Sequence, residues 1–120
     1  MKKISRDAAD AFLNKRKFKQ SNTWVQAQSL SGLTVLWLHG NPIATHGTTI
    51  CISHQGYHTA VTRDRLNAIL WHPTGYQISI AGGKSHFRHR KTGKRVSFPR
   101  GWYDINKIDQ IDNKGVEIED

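Results

Sequence analysis

The chain has 120 residues, 37% of them hydrophobic, with 18 Lys and Arg against nine Asp and Glu and a formal charge of +9. That length suits one domain with a modest core and excludes two ordinary ones, while four Trp, four Phe and three Tyr supply much of the apolar surface the core needs. A lone Cys51 excludes an intramolecular disulfide framework, no apolar run approaches the ~20 residues of a membrane span, and no hydrophobic signal segment follows Met1-Lys2-Lys3, so a cytoplasmic protein without a membrane partner is expected.

In chain order, Ser5 is placed to cap a helix running toward Phe18, with Asp7 in its first turn and Lys15, Arg16 and Lys17 in its last. Ala8, Ala9, Phe12 and Leu13 fall on one face of it, a docking stripe. Residues 19–23, "KQSNT", read as a linker. Four short runs rich in β-branched and aromatic residues follow at 23–28, 33–39, 42–46 and 48–53, divided by Gly-containing turns, and predict an antiparallel meander. In the second run both faces are largely apolar, Thr34, Leu36 and Leu38 on one and Val35, Trp37 and His39 on the other. That strand is expected to be central and covered on both sides. "TRDRLNAIL" predicts a helix over about 62–71, capped by Thr62, with Asp64 in the first turn, a Leu66, Ile69, Leu70 and Trp71 stripe, and Pro73 as the stop. "YQISIA" at 76–81 is a strand. The order predicts an α+β fold: a mainly antiparallel twisted sheet with one packed helix (62–71) and a short N-terminal helix. Residues 1–103 form a single domain, and 104–120 form an acidic tail.

Charge divides along that boundary. Residues 1–103 hold sixteen basic against three acidic residues, a net +13, whereas 104–120 hold six acids against two lysines, a net −4. A basic body with an acidic tail points to a polyanion-binding surface for which the tail competes. The segment Gly82–Trp102 contains seven Lys or Arg, two His and no acid. With Thr92-Gly93 as a two-residue turn, Arg90 faces Arg95 and Lys91 faces Lys94. Alternation then puts Phe87, His89, Val96 and Phe98 on the core side and His86, Arg88, Arg90 and Arg95 on the outer side. Like charges directly opposite one another destabilise a hairpin by a few tenths of a kcal/mol, a cost that an anionic partner removes.

The expected phosphate contacts are therefore Lys84, His86, Arg88, Arg90, Lys91, Lys94, Arg95 and Arg100, joined by Lys15, Arg16, Lys17 and Lys19. Candidates for stacking on bases are Trp102, Tyr103, Tyr57 and Trp24, with Tyr76 behind them. No zinc-finger, homeodomain, RRM or KH signature is present.

Chemistry is less well supplied. Cys51, His54 and His58 have zinc-compatible softness, but need a fourth ligand such as His72 or His39, and no metal or other cofactor is expected. The body has only three carboxylates, and the glycines of "AGGK" lack the P-loop continuation. A hydrolase built on His54, His58 or His86 ranks third among the readings, and no catalysis is expected.

The stretches "VLWLHGNPIA" and "ISHQGYHTAVTRDRLNAIL" carry the pattern Leu-His-Gly-Asn, Ile-Ala, Gly-aromatic-x-Thr, Thr-x-x-Arg-Leu-Asn. They resemble a small domain that recurs in bacteriophage and archaeal-virus proteins, and "ISRDAADAFLNKRKFKQSNTWV" looks like the leader of such phage proteins. The likeness covers about residues 4–72 and leaves the basic region 84–100 outside; Tyr57 stands where the family pattern has Trp. It implies viral origin and work in a host cytoplasm, with no activity attached. It also implies that Leu38, Ile43, Leu66 and Asn67 serve the fold, and Asn41 and Gly56 the turns. The expected function is a small phage-type accessory protein that binds nucleic acid, DNA or RNA, as a monomer or homodimer. The alternative is a counter-defence protein that binds a host protein or sequesters a nucleotide signal.

Overall fold

A serine just ahead of an alanine-rich stripe has the look of a cap, yet tertiary partners claim Ser5. In the computed structural model, which describes residues 1–28, 30–56, 59–99 and 101–111, helix α1 spans Lys3–Leu13 and its N-cap, Lys2, supplies no side-chain cap. The Ser5 hydroxyl is buried, donates to Asp64 and accepts from Arg65. The stripe itself holds: Ala8, Ala9, Ala11 and Phe12 are buried. The helix stops at Leu13, so Lys15, Arg16 and Lys17 lie beyond it.

The expected linker is a hairpin. Strand β1 (Phe18–Gln20) pairs with β2 (Thr23–Gln26) across Ser21-Asn22, with Ser21 at φ 54. Polar residues in a tight turn look like a linker because both avoid burial. The meander continues through β3 (Thr34–Leu38), β4 (Asn41–His46) and β5 (Ile50–Ile52). His39 (φ 51) and Gly40 (φ 79) form the left-handed two-residue turn between β3 and β4. Strand β9 (Tyr103–Asp104) returns to pair with β5, giving the order β1-β2-β3-β4-β5-β9. Val25, Leu36, Ala44 and Ile52 are buried on its inner side. The outer side carries Lys19, Trp24, Trp37 and Pro42 in one register row. Trp24 remains 41% exposed there. Strand β3 is thus central, but the second covering layer is missing among the described residues.

Helix α2 spans Ala60–Leu70, and its cap is Thr59, whose hydroxyl accepts the Thr62 amide at 3.1 Å. Two threonines three residues apart each satisfy the capping rule; Thr62 is instead buried one turn in, which corrects its expected role. Arg65, 4% exposed, donates to Thr23 Oγ1 at 2.9 Å and Ser5 Oγ at 2.6 Å, so it ties α2 to β2 and α1. Asp64 lies beside it. Burial pushes that carboxyl up, but the Ser5 hydroxyl, Lys2 amide, N-terminal amine and Arg65 guanidinium outweigh it and hold the pKa below the ordinary aspartate value.

A second sheet is built from β6 (Tyr76–Ala81), β7 (Lys84–His89) and β8 (Arg95–Ser97), in that order. Gly82 (φ 56) and Gly83 (φ 75) form its first turn, a geometry that only glycine adopts without cost at both positions. Ile78, Phe87 and Val96 enter the common core with Leu66, Ile69 and Leu70 of α2. Asn67 clamps the free edge of β6, accepting the Ile78 amide (2.6 Å) and donating to the Ile78 carbonyl (3.1 Å). The fold is α+β with two antiparallel sheets and packed helices. It does not stop at residue 103. Asp104 pairs with Cys51, and Ile105 and Ile108 of a 3₁₀ helix (Ile105–Gln110) are buried. The acidic tail expected from 104 therefore lends its first residues to the core, and residues 112–120 lie outside the described residues. No helix among the described residues is long and apolar enough to cross a membrane.

Candidate functional site

The basic hairpin forms, in a register two residues away from the expected one. Phe87 lies opposite Val96, and Arg88 opposite Arg95. The connection is a four-residue loop, Arg90–Gly93, closed by the bonds His89 N–H to Lys94 O (2.8 Å) and Gly93 N–H to His89 O (2.9 Å). A two-residue turn at Thr92-Gly93 needs a left-handed backbone at a β-branched residue, which sterics oppose. Only Gly93 takes it, at φ 74. The His89 ring settles the longer loop, its Nδ1 accepting the Lys91 and Thr92 amides at 3.2 Å each.

Side chains alternate along a strand, so a slip of two residues preserves the faces. Phe87 and Val96 point inward, and Phe87 stacks on Phe98 with centroids 4.8 Å apart. Outward, the three strands present Gln77, Ser79 and Ala81 on β6, Lys84, His86 and Arg88 on β7, and Arg95 and Ser97 on β8. Lys84, Arg88 and Arg95 are exposed, as are Lys91 and Lys94 at the loop. Arg88 and Arg95 confront each other across the ladder. His86, at the centre of this face, is only 1% exposed, and neither ring nitrogen makes a well-formed hydrogen bond. Burial first, then Arg95, and also Arg88, hold its pKa below the ordinary histidine value, against a weaker pull from the Lys84 backbone.

Arg90 leaves the group. Being in the loop rather than the strand, it turns back over α2, donating to Trp71 O (2.6 Å) and Thr74 O (2.8 Å) and lying 4.1 Å above the Trp71 ring. Its expected phosphate role is corrected to a staple between hairpin and helix end. The N-terminal cations are not on this sheet. Lys15 donates to Gly47 O, Arg16 pairs with Asp10, and Lys19 sits on β1 across from Trp24. Arg100, Tyr57 and His58 lie outside the described residues.

Of the stacking candidates, Trp24 (41% exposed) lies against Trp37 with centroids 5.8 Å apart, and Trp102 is 43% exposed. Tyr103 is built into the sheet, paired with Ile52, and its hydroxyl donates to Lys107 O; burial, then Asp104, push its pKa up. Tyr76 is buried and donates to Asp109 at 2.5 Å, so it is no platform. The zinc candidates part ways: Cys51 faces Thr45 and Asp104 in the sheet, and His54 accepts the Gly56 amide and packs on Phe98 at 4.8 Å. Among the described residues, no three His, Cys, Asp or Glu side chains gather in a metal-binding group. His54 does share a cavity of about 420 Å³ with His39, beside the α2 N-terminus.

Sequence reasoning missed two features. Arg65 carried a signal, since it falls between Thr62 and Ile69 on the buried stripe of α2. A cleft of about 470 Å³ between α1 and α2, lined by Arg6, Asp10, Leu13, Trp71 and His72, carried none, because nothing local links residues 6 and 72.

These features define a small basic α+β protein with an arginine-bearing sheet face. The model of the Kyanoviridae Gp96 protein family matches residues 1–103, and the chain belongs to this phage family. The match runs past the 4–72 likeness and takes in the whole basic hairpin. No curated protein and no solved structure matches the chain.

Proposed function

We propose that this phage protein is a non-catalytic accessory factor that binds nucleic acid through backbone phosphates on the outer face of its three-stranded sheet. One observation carries the reading: Arg88 and Arg95 stand directly opposite each other on an outward face, with Lys84 on the same face and Lys91 and Lys94 at the adjoining loop. Guanidinium and ammonium groups gathered on one face suit the oxygens of successive phosphates, to which they donate charge-assisted hydrogen bonds. Phosphates recur along the ligand, so specificity for sequence is not required.

The test is a salt series on a fluorescent oligonucleotide. About four neutralised phosphates give a slope of log K against log salt near −3.6 on duplex DNA, and Arg88→Ala with Arg95→Ala removes about two of those contacts. Binding at least tenfold weaker, with a slope shallower by roughly 1.8, is the expected result. Unaltered binding in the double variant rejects the reading. A second reading, sequestration of one nucleotide-sized signal, is favoured by the α1–α2 cleft, whose Arg6, Trp71 and His72 combine a cation, an aromatic face and an imidazole in a volume that suits a small ligand. Affinity that does not grow with oligonucleotide length supports that alternative.

A further inference from the structure

The outer side of the six-stranded sheet holds aromatic surface that the phosphate-binding face does not use. Trp37 on the central strand β3 lies directly opposite Trp24 on β2, and Trp24 directly opposite Lys19 on the edge strand β1. The two indoles are stacked, with centroids 5.8 Å apart and planes inclined by 21°. Trp37 is held in place, its Nε1–H donating to Gln26 Oε1 at 3.3 Å. Trp24 keeps 41% of its surface exposed, and among the described residues the one ring against it is that of Trp37.

A cross-strand aromatic pair stabilises the β2–β3 ladder by itself. That role does not require a large apolar ring to stay in water, which costs free energy in proportion to the area exposed. Size and charge say what the open part fits. It amounts to roughly 100 Å², the scale of one stacked base, against the ~800 Å² that each partner buries in a stable protein interface. A second copy would also bring two chains of charge +9 together over that small area. The register neighbours of the pair on this face are Lys19, Gln26, Val35 and Pro42, none of them acidic. The stack runs from the middle of the sheet toward its edge and stops at Trp24. The next layer therefore falls above β1, where the exposed and flexible Lys19 is the one outward side chain.

We infer that this row is a stacking site for one unpaired nucleobase, which continues the Trp37–Trp24 stack over β1 while Lys19 pairs with its phosphate. Stacking on an indole face tolerates any base but needs that base to be free of a partner strand, so the ligand is single-stranded nucleic acid. The inference rests on the nucleic-acid reading for its ligand. Its contacts lie on the other sheet, so the two stand or fall separately.

The test measures the affinity of the full chain for three probes: a short single strand, the same strand with abasic sugars throughout, and a duplex of equal length. The wild type is expected to bind the complete strand about tenfold more tightly than the abasic one. Trp24→Leu keeps apolar bulk on β2 without an aromatic face and is expected to bring that ratio close to one, while Trp24→Phe retains most of it. A ratio cancels any loss of folded protein. Lys19→Ala is expected to make the single-strand salt slope shallower by about 0.7. Equal wild-type affinity for the complete and abasic strands overturns the proposal, and so does a base preference that persists in Trp24→Leu. A wild-type dimer that Trp24→Leu dissociates, with every probe bound as before, overturns it in favour of a second copy. If base removal changes nothing while Arg88→Ala with Arg95→Ala weakens duplex binding, this site fails and the phosphate-face reading stands. If Trp24→Leu abolishes the base preference while the double arginine variant binds normally, that reading fails and this site stands.

Discussion

Arg90 offers a sharp separation of structural from functional charge. Arg90→Ala removes two bonds from its guanidinium to the carbonyls of Trp71 and Thr74, at 2.6 and 2.8 Å, and the cation–π contact at 4.1 Å. Each charged bond contributes about 1 kcal/mol after discounting for partial exposure. The ring contact, over a Trp71 that is 47% exposed, adds about 0.5–1 kcal/mol. The buried Nε of Arg90 has no partner, so deleting it returns a little. The net loss is about 2 kcal/mol. At ~2.1 cal/mol/K per residue, unfolding entropy makes that roughly an 8 °C fall in Tm for a chain of this size. Urea melts at constant m-value measure it, alongside oligonucleotide titration. Arg90→Ala is expected to lower stability with little change in affinity, the opposite of Arg88→Ala with Arg95→Ala. A stability loss under about 0.5 kcal/mol, or an affinity loss matching that of the double variant, refutes the staple.

Arg65→Met strips the donors from Ser5 and Thr23 inside the α1–α2–β2 junction and is expected to cost about 3 kcal/mol by chemical denaturation, with a loss below 1 kcal/mol as the contrary result. Asn67→Ala leaves the Ile78 amide and carbonyl without their side-chain clamp; a loss of about 2 kcal/mol is expected, together with faster hydrogen exchange along β6 than along β3. Tyr76 has its pKa pushed up to about 12, by burial and then by its bond to Asp109 and that carboxylate's charge. The proton is held more tightly in the folded chain, so this group's share of stability is intact below pH 10 and is lost as pH rises toward 12. The loss is about 2–3 kcal/mol, and Tyr76→Phe flattens that limb of the stability curve. A wild-type curve no steeper than that of Tyr76→Phe counts against the buried bond.

Much of the phage-domain pattern read from the sequence turns out to serve the fold, and the structure gives each residue its reason. Leu38-His39-Gly40-Asn41 is a left-handed hairpin turn, and Thr62-x-x-Arg65-Leu66-Asn67 combines a helix-start threonine, the buried guanidinium, a core leucine and the β6 clamp. The α+β order, the meander, the strand at 76–81 and the apolar helix stripes were legible because each depends on local periodicity, except that Trp71, expected on the α2 stripe, lies past the helix end and is 47% exposed. The hairpin faces within the strands were legible for the same reason, and survived an error in the turn because the error was even-numbered, whereas Arg90, expected on the outer face, lies in the loop. The turn itself was readable too: Thr92 is β-branched, and a two-residue turn there was sterically poor from the start.

What only tertiary structure decided is where each side chain finds its partner. Ser5 left the helix start for Asp64, Arg90 left the basic row for Trp71, and Ile105 and Ile108 drew the start of an acidic segment into the core. Periodicity reports which face a residue occupies, and composition reports that the chain is basic. Neither reports a contact between residues 19 or 59 positions apart, because such contacts are selected by the packing of whole elements rather than by neighbours in the chain. The sequence alone determined that positive charge gathers on one hairpin. The fold decided which arginines remain on its outer face, and that a histidine lies buried next to them on the same sheet.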